Sequence, residues 1–353
     1  MKIITIIGAG YMGTALAWPL RDRGHTVRLV GTHLDEEIID ECKHTGVHPK
    51  LNRRLPEGVQ VYPISDVDKA LEDAEIIVSG VSSSGVHWIA DILKDRIQPG
   101  QRVIGVTKGL EISEEGEVRI FPEVIREAFP ENIQKQVTVA AIGGPCIANE
   151  LAGRRQTGVV FGAPSYKEAE ELARIFRTSY YHIWPTDDLY SLEVSVALKN
   201  FFALAVGTAY GRLEKEGGLD DAGASMHNLA SALFAEGTLE IYRFLKETGG
   251  NPEFAFTLPG VGDLYVTVTG GRSVRMGKLL GSGLSYAEAV LKLPGETLEA
   301  VEIIRAMSRW IDAGDRKGTR KPNDYPLMRA LIDVVVWGKP LEWNLEAWFS
   351  STY

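Results

Sequence analysis

The sequence predicts an α/β doubly wound sheet domain followed by an all-helical domain. Three observations predict it. Short β-branched runs alternate with helical spacing through the first half, a glycine-rich turn follows the first run, and strand patterns cease after Trp184.

Lys2–Ile7, Thr26–Val30, Val59–Tyr62, Glu75–Val81, Arg102–Thr107, Val137–Ile142, Thr157–Phe161 and Tyr180–Trp184 read as strands. Met12–Arg23, Val86–Lys94, Val118–Ala128 and Lys167–Arg177 carry helical spacing between several of them. Alternation of this kind builds a mostly parallel sheet covered by helices.

At Pro185-Thr186-Asp187-Asp188 a strand stop meets N-cap candidates, with acids suited to a first helical turn. Helical patterns then cover Leu189–Arg212, Ala222–Thr248, Arg272–Leu280, Ser285–Leu291, Leu298–Ala313 and Leu327–Val336. Glycine and proline clusters separate several of them. The boundary is therefore expected near residue 187, giving domains of residues 1–187 and 188–353. The basic stretch Arg316–Asn323 is expected as an exposed loop.

With 353 residues, 44% hydrophobic and 24% charged, the chain can bury a full core and form two domains. A formal net charge of -9 argues against a nucleic-acid partner and leaves room for a small anionic ligand in a local positive pocket. Cys42 and Cys146 are too few for a disulfide framework, which suits a reducing cytosol, and no Cys/His cluster has metal-ligand spacing. The first apolar run is too short for a signal peptide.

Val194–Gly211 is apolar apart from Lys199 and Asn200. A membrane span would place that lysine near a helix centre, at a cost of about 2.5–3.5 kcal/mol. A core helix is the better reading. An ammonium in such a helix has to be paired, deprotonated or facing a cavity. It is then either a structural ion-pair member or a functional cation.

Gly8-Ala9-Gly10-Tyr11-Met12-Gly13 follows the first strand and opens the first helix. In that context G-x-G-x-x-G is a Rossmann-type dinucleotide fingerprint: a tight turn, close backbone approach to the pyrophosphate, and helix–strand packing. After the second strand, Thr32 and His33 stand where an acid would favour a free ribose 2′-hydroxyl, and no acid comes before Asp35. Either residue can meet a hydroxyl or a 2′-phosphate, so NAD and NADP both stay open.

These residues, with others downstream, resemble the NAD(P)-dependent glycerol-3-phosphate dehydrogenase family over nearly the whole chain. The pieces are Gly8–Gly13, Asn52–Pro56, Thr107-Lys108-Gly109, Gly144-Pro145-Cys146-Ile147-Ala148-x-Glu150, Ala197-Leu198-Lys199-Asn200, and Gly262-Asp263-Leu264 with Thr267 and Arg272. The resemblance implies reversible hydride transfer between nicotinamide C4 and the central carbon of dihydroxyacetone phosphate. Lys199 is implied as the catalytic residue, and Lys108 as facing both cofactor and substrate. It further implies that Gly144, Cys146, Asn200, Asp263, Thr267, Arg272 and Ser273 line the substrate site. Gly8, Gly10, Tyr11, Met12, Gly13, Thr32, His33, Ala148, Arg272 and Glu296 are implied contacts of the cofactor.

The residue types suit that chemistry. Hydride addition to a ketone builds charge on oxygen, which calls for a positioned cation or acid. A lysine desolvated by an apolar helix suits this, and Asp263 can pair with it while tuning it. Arg272 opens a helical stretch after Thr269-Gly270-Gly271, and its guanidinium fork suits a phosphate ester, with Arg275 as local competitor. Cys146 reads as a pocket-wall thiol, because hydride transfer needs no covalent intermediate.

Ser273 stands where the family usually has Asn, Ser195 and Val196 where it has small residues, and Ser82-Ser83-Ser84 where a proline begins. These departures admit a second reading, the same chemistry on another phosphorylated ketose or polyol. A third is a non-catalytic nucleotide-binding regulator, against which Lys199, Lys108, Asp263 and Arg272 together speak. The aromatic tail (Trp337, Trp343, Trp348, Phe349, Tyr353) suggests core or subunit contact, and a cytoplasmic homodimer is expected.

Overall fold

The computed structural model describes residues 1–294, 299–321 and 323–349. It divides into two compact units. The first comprises Met1–Lys108 and Phe121–Leu192, and the second Gly109–Ile120 together with the chain from Glu193 onward. The division comes after Leu192, inside the helix Leu189–Lys215.

The first unit is built on an eight-stranded sheet. Its strands are β1 (Ile3–Ile7), β2 (Thr26–Val30), β3 (Gln60–Tyr62), β4 (Ile76–Ser79), β5 (Arg102–Gly105), β6 (Thr138–Gly143), β7 (Thr157–Gly162) and β8 (Tyr181–Thr186). All eight correspond to runs read from the sequence. Their order is β8-β7-β6-β5-β4-β1-β2-β3, with every pair parallel except β6 and β7. Strand order reverses at β1, so a crevice opens past the carboxyl ends of β1 and β4, where doubly wound sheets bind ligands.

Both sheet faces are apolar because helices cover both. One face packs Ile4, Ile6, Val27, Leu29, Val78 and Ile104 against helices that include Tyr166–Phe176. The other packs Ile7, Val30, Ile77 and Val103 against Val86–Lys94 and Phe121–Glu127.

Several local expectations are corrected. The helix after the glycine loop is broken at Leu16 into Tyr11–Ala15 and Ala17–Asp22. Pro19 supplies the cause: its ring crowds the carbonyl four residues back, and it has no amide hydrogen to donate. Pro185 does not stop β8, which runs on to Thr186. As the terminal strand of the sheet, β8 has one side without a ladder partner, where proline is tolerated. Val118–Ile120 is a strand rather than the start of a helix, paired antiparallel with Leu110–Ile112, and helix begins only at Phe121.

That hairpin belongs to the second unit, which is therefore not purely helical. Arg309 Nε donates to Ile112 O at 2.9 Å, and Arg316 and Lys317 donate to the carbonyls of Glu114 and Glu115. The unit's helices include Leu189–Lys215, His227–Glu247, Asp263–Val268, Arg272–Gly281, Tyr286–Leu291, Glu299–Lys317 and Pro326–Val335. The second of these starts at His227 rather than Ala222, after Gly223 at φ +81°. Leu189–Lys215 is long and apolar enough to cross a membrane by composition alone, yet 89% of its apolar window is buried in protein.

The expected exposed basic loop at 316–323 holds at Gly318, Thr319, Lys321 and Asn323 and differs at its start and at Arg320. Helix continues to Lys317, and the Arg320 guanidinium lies 3.3 Å from the centroid of the Trp310 ring and 2.8 Å from Glu247. In the tail, Trp348 is buried, Trp343 lies beneath Arg212, and Trp337 is exposed. Tyr353 lies outside the described residues.

Candidate active site

In the first unit the glycine loop sits at the strand-order reversal. Gly8 has φ +111°, and a Cβ there would lie 2.7 Å from the Gly80 carbonyl carbon just past β4. A Cβ on Gly13 would lie 2.7 Å from Gly8 O. Gly10 differs, because a Cβ there would meet only Gly80 O at 3.7 Å. Two glycines are thus required by backbone against backbone, and the middle one leaves open room beside the loop. This is the cradle a pyrophosphate needs, so the residues present fit a dinucleotide.

Two side chains unassigned from sequence hold this loop. Asp35 Oδ2 accepts from the Ala9 amide at 3.1 Å, the Thr32 amide at 2.9 Å and Thr32 Oγ1 at 2.8 Å. His48, fully buried, accepts the Leu51 amide on Nδ1 at 3.1 Å, so Nε2 carries the hydrogen and donates to Ala9 O at 2.9 Å. Burial holds the His48 imidazole below its ordinary value. A histidine on a short strand gives no periodic signal, and only the fold shows its partner.

The other first-unit residues read from sequence have these surroundings. Thr32 is buried, while His33 is exposed and packs on Trp88 with ring centroids 5.6 Å apart. Tyr11 is about half exposed, and Met12 packs on the core. Lys108 follows β5, half-buried. Gly144, at φ +122°, turns the chain after β6 toward half-buried Cys146 and buried Ala148. Lys108, Gly144, Cys146 and Ala148 thus follow the carboxyl ends of two neighbouring parallel strands.

In the second unit the long helix presents Lys199. Its Nζ donates to Asp263 Oδ1 at 3.0 Å and to Thr267 Oγ1 at 2.6 Å, and Thr267 in turn donates to Asp263 O at 2.7 Å. Lys199 and Asp263 are 6% and 1% exposed. Asp263 and Thr267, four apart on the helix Asp263–Val268, face the lysine from one side. The charge that the apolar helix carries is thus met by an ion pair within the protein.

Beside it, Asn200 Nδ2 donates to Glu299 Oε2 at 3.0 Å, and Arg272 Nη2 lies 3.3 Å from Glu299 Oε1. Glu299, for which the sequence carried no signal, thus joins two of the candidate site residues. Glu296, the residue read instead, lies outside the described residues. Ser273 is buried, whereas Arg272 and Arg275 are exposed.

What brings Arg272 and Ser273 to the long helix is a crossing of small residues. A Cβ on Gly207 would lie 2.4 Å from Val274 O, and one on Gly277 2.0 Å from Leu204 O. Gly207 and Gly211 recur four apart on one helix, and Gly277 and Gly281 on the other. Glycine at this spacing lets backbones touch, so the signal was present in the sequence and is explained only by the packing. Among the described residues no group of His, Cys, Asp and Glu is arranged to hold a metal.

Comparison with known proteins bears on both units. A family model described as NAD-dependent glycerol-3-phosphate dehydrogenase N-terminus matches residues 3–169, and its C-terminus counterpart matches 188–345. The NADP(+)-dependent glycerol-3-phosphate dehydrogenase of Archaeoglobus fulgidus is 35% identical over 304 residues, covering 85% of this chain and 86% of that protein. A glycerol-3-phosphate dehydrogenase (NAD(P)+) of Bacillus cereus is 33% identical over 342 residues, covering 96% and 92%. Among solved structures, the glycerol-3-phosphate dehydrogenase of Coxiella burnetii superposes with TM-score 0.79 at 26% identity, covering 99% of this chain and 98% of that one.

Proposed function

This chain belongs to the NAD-dependent glycerol-3-phosphate dehydrogenase family, and from that premise we propose that it interconverts dihydroxyacetone phosphate and sn-glycerol 3-phosphate with Lys199 as the acid/base. The observation that carries the residue assignment is the buried Lys199–Asp263–Thr267 cluster. When bound, NAD or NADP supplies or accepts the hydride at its nicotinamide.

This chain's residues do the rest. The Gly8–Gly13 loop holds the pyrophosphate against bare backbone. As charge grows on the ketone oxygen, the Lys199 ammonium stabilises it and gives up a proton, and in the alcohol-oxidising direction the amine takes the hydroxyl proton. Asp263 and Thr267 fix the Nζ position, so the ammonium needs little reorganisation during reaction. Arg272 and Asn200 present a guanidinium and an amide for the phosphate, with Ser273 beside them. In the first unit, Lys108, Gly144, Cys146 and Ala148, past the carboxyl ends of β5 and β6, are the candidates for substrate and cofactor contact.

The same reading takes the protein as a cytosolic homodimer. Two cysteines in 353 residues support the first part, and exposed Trp337 supports the second.

Mixing purified protein with NADH or NADPH and a panel of phosphorylated ketones, while following absorbance of the reduced cofactor, tests the proposal. Oxidation with dihydroxyacetone phosphate is expected. Turnover only with a larger ketose would move the substrate assignment, and cofactor binding without any turnover would make the chain a nucleotide-binding regulator.

A further inference from the structure

The stretch Asn52–Pro56, part of the family resemblance, has no task in the reaction as proposed. In the fold it closes a hairpin. Val47 pairs with Arg54 and His48 with Arg53 in antiparallel register, the Leu55 amide donates to Gly46 O at 2.8 Å, and Asn52 takes φ +47° near the turn. Leu51 and Leu55 are buried and root the hairpin in the core on one face of the sheet.

The hairpin carries His48 inward, with none of its surface exposed. Nδ1 accepts the Leu51 amide from within the hairpin, and Nε2 donates to the Ala9 carbonyl 39 residues earlier. The peptide joining Ala9 to Gly10 is trans, so its carbonyl and its N–H point in opposite directions. With the carbonyl on His48, the Gly10 N–H faces away from the hairpin. Backbone N–H groups are what a glycine loop offers a pyrophosphate, and a flipped peptide would present a carbonyl that repels it. Gly10, at φ −73°, would accept the flipped form as readily, because glycine takes positive φ without a steric penalty. The local backbone therefore does not choose the orientation, and the buried donor does.

We infer that His48 is a positioning residue for dinucleotide binding, holding the Ala9–Gly10 peptide in its binding orientation, and that the Gly46–Leu55 hairpin serves to present it. The inference rests on the dinucleotide-binding reading and applies equally to NAD and NADP.

Titration of the intact protein with NADH and with NADPH, followed by nicotinamide fluorescence on tryptophan excitation, tests it without turnover. A glutamine places its amide nitrogen near the position of Nε2, and an asparagine its amide oxygen near that of Nδ1. His48→Gln therefore keeps the donor toward Ala9 O, whereas His48→Asn keeps only the acceptor for Leu51. His48→Gln is expected to bind both nucleotides within about threefold of wild type, and His48→Asn and His48→Ala about tenfold or more weakly, the span of one hydrogen bond. The reverse order, with Asn binding like wild type and Gln weakly, would confine His48 to closing its own hairpin and overturn the inference. Unchanged affinity in all three variants would overturn it too. Should Asn and Ala fail to fold, wild-type protein decides. Nitrogen chemical shifts of isotope-labelled histidine are expected to place the His48 hydrogen on Nε2, both before and after NADH is added. A hydrogen on Nδ1 would leave Ala9 O without this donor and overturn the inference. Wild-type protein that binds neither nucleotide would bring down the dinucleotide reading itself, an outcome distinct from any ordering of the variants.

Discussion

Lys199 Nζ lies 3.0 Å from Asp263 Oδ1, with both residues withdrawn from water to more than nine-tenths of their surface. Two charges in that setting are tolerable only together. The pair fixes an ammonium in an apolar helix without a compensating surface location, which is the arrangement a proton-transferring cation needs.

Lys199→Ala is expected to lower turnover by about 10²–10⁴-fold, the range of a lost general acid/base, with dinucleotide affinity nearly intact. Steady-state rates and a fluorescence titration on the same preparation check it. A variant keeping most of its rate would remove Lys199 from the chemistry.

Asp263→Ala leaves the Lys199 ammonium buried without its carboxylate, and breaking such a pair costs about 3–5 kcal/mol. Denaturant midpoints are expected to fall accordingly. The double variant Asp263→Ala, Lys199→Met is expected to recover part of that loss, because it removes the stranded charge. No recovery would mean that the penalty is packing rather than charge.

Arg272→Ala is expected to raise KM for phosphorylated substrate by about 10–100-fold, the loss of a hydrogen bond to a charged group. An unphosphorylated hydroxyketone should be affected far less. Equal losses on both would place Arg272 outside phosphate recognition.

Gly277→Ala forces a methyl group to within 2.0 Å of the Leu204 carbonyl, so the two helices must separate. A loss of about 1–3 kcal/mol is expected from overpacking, together with lower activity as Arg272 and Ser273 shift from the long helix. Gly270→Ala, where an added Cβ meets nothing within 4 Å, serves as the stability control. Similar melting temperatures for both variants would discount the crossing.

Glu240 supplies a pH dependence. Its carboxylate accepts the Leu327 and Met328 amides at the start of the helix Pro326–Val335. Burial nonetheless pushes the group up to about 8 from an ordinary 4.5, and Glu236 adds to the rise. Between those two values the folded protein holds a proton that the unfolded chain has lost. Stability from this group is thus fully present below 4.5 and declines as pH rises through about 8, by on the order of a few kcal/mol. Urea midpoints are expected to fall across that window, and Glu240→Gln should flatten the slope. An unchanged slope in the variant would assign it to other groups.

Much of this was legible from local pattern. The alternating runs located all eight sheet strands, because apolar β-branched residues at strand spacing have few other uses. The helical pattern over Ser285–Leu291 matched a helix that starts at Tyr286, where Ser285 and Glu288 form a capping box. Lys199 stood out because a charge in an apolar run demands an explanation. Where local pattern misled, as at Pro185, Val118 and Arg320, position in the assembled fold decided the outcome. An edge strand accepts proline, a hairpin partner captures three residues from a helix, and an aromatic ring with a carboxylate withdraws an arginine from water.

By itself the sequence determined the strand set, the glycine loop, the long apolar helix and the lysine within it, since each is encoded in the spacing of nearby residues. Only the tertiary structure decided that Asp35 and His48 grip one peptide of that loop from 26 and 39 residues away. It also decided that Glu299 reaches Asn200 across 99 residues and that four glycines let two helices touch. Local spacing records which face of an element is apolar. Which distant polar atom that element meets depends on how the elements pack, and no window along the chain contains it.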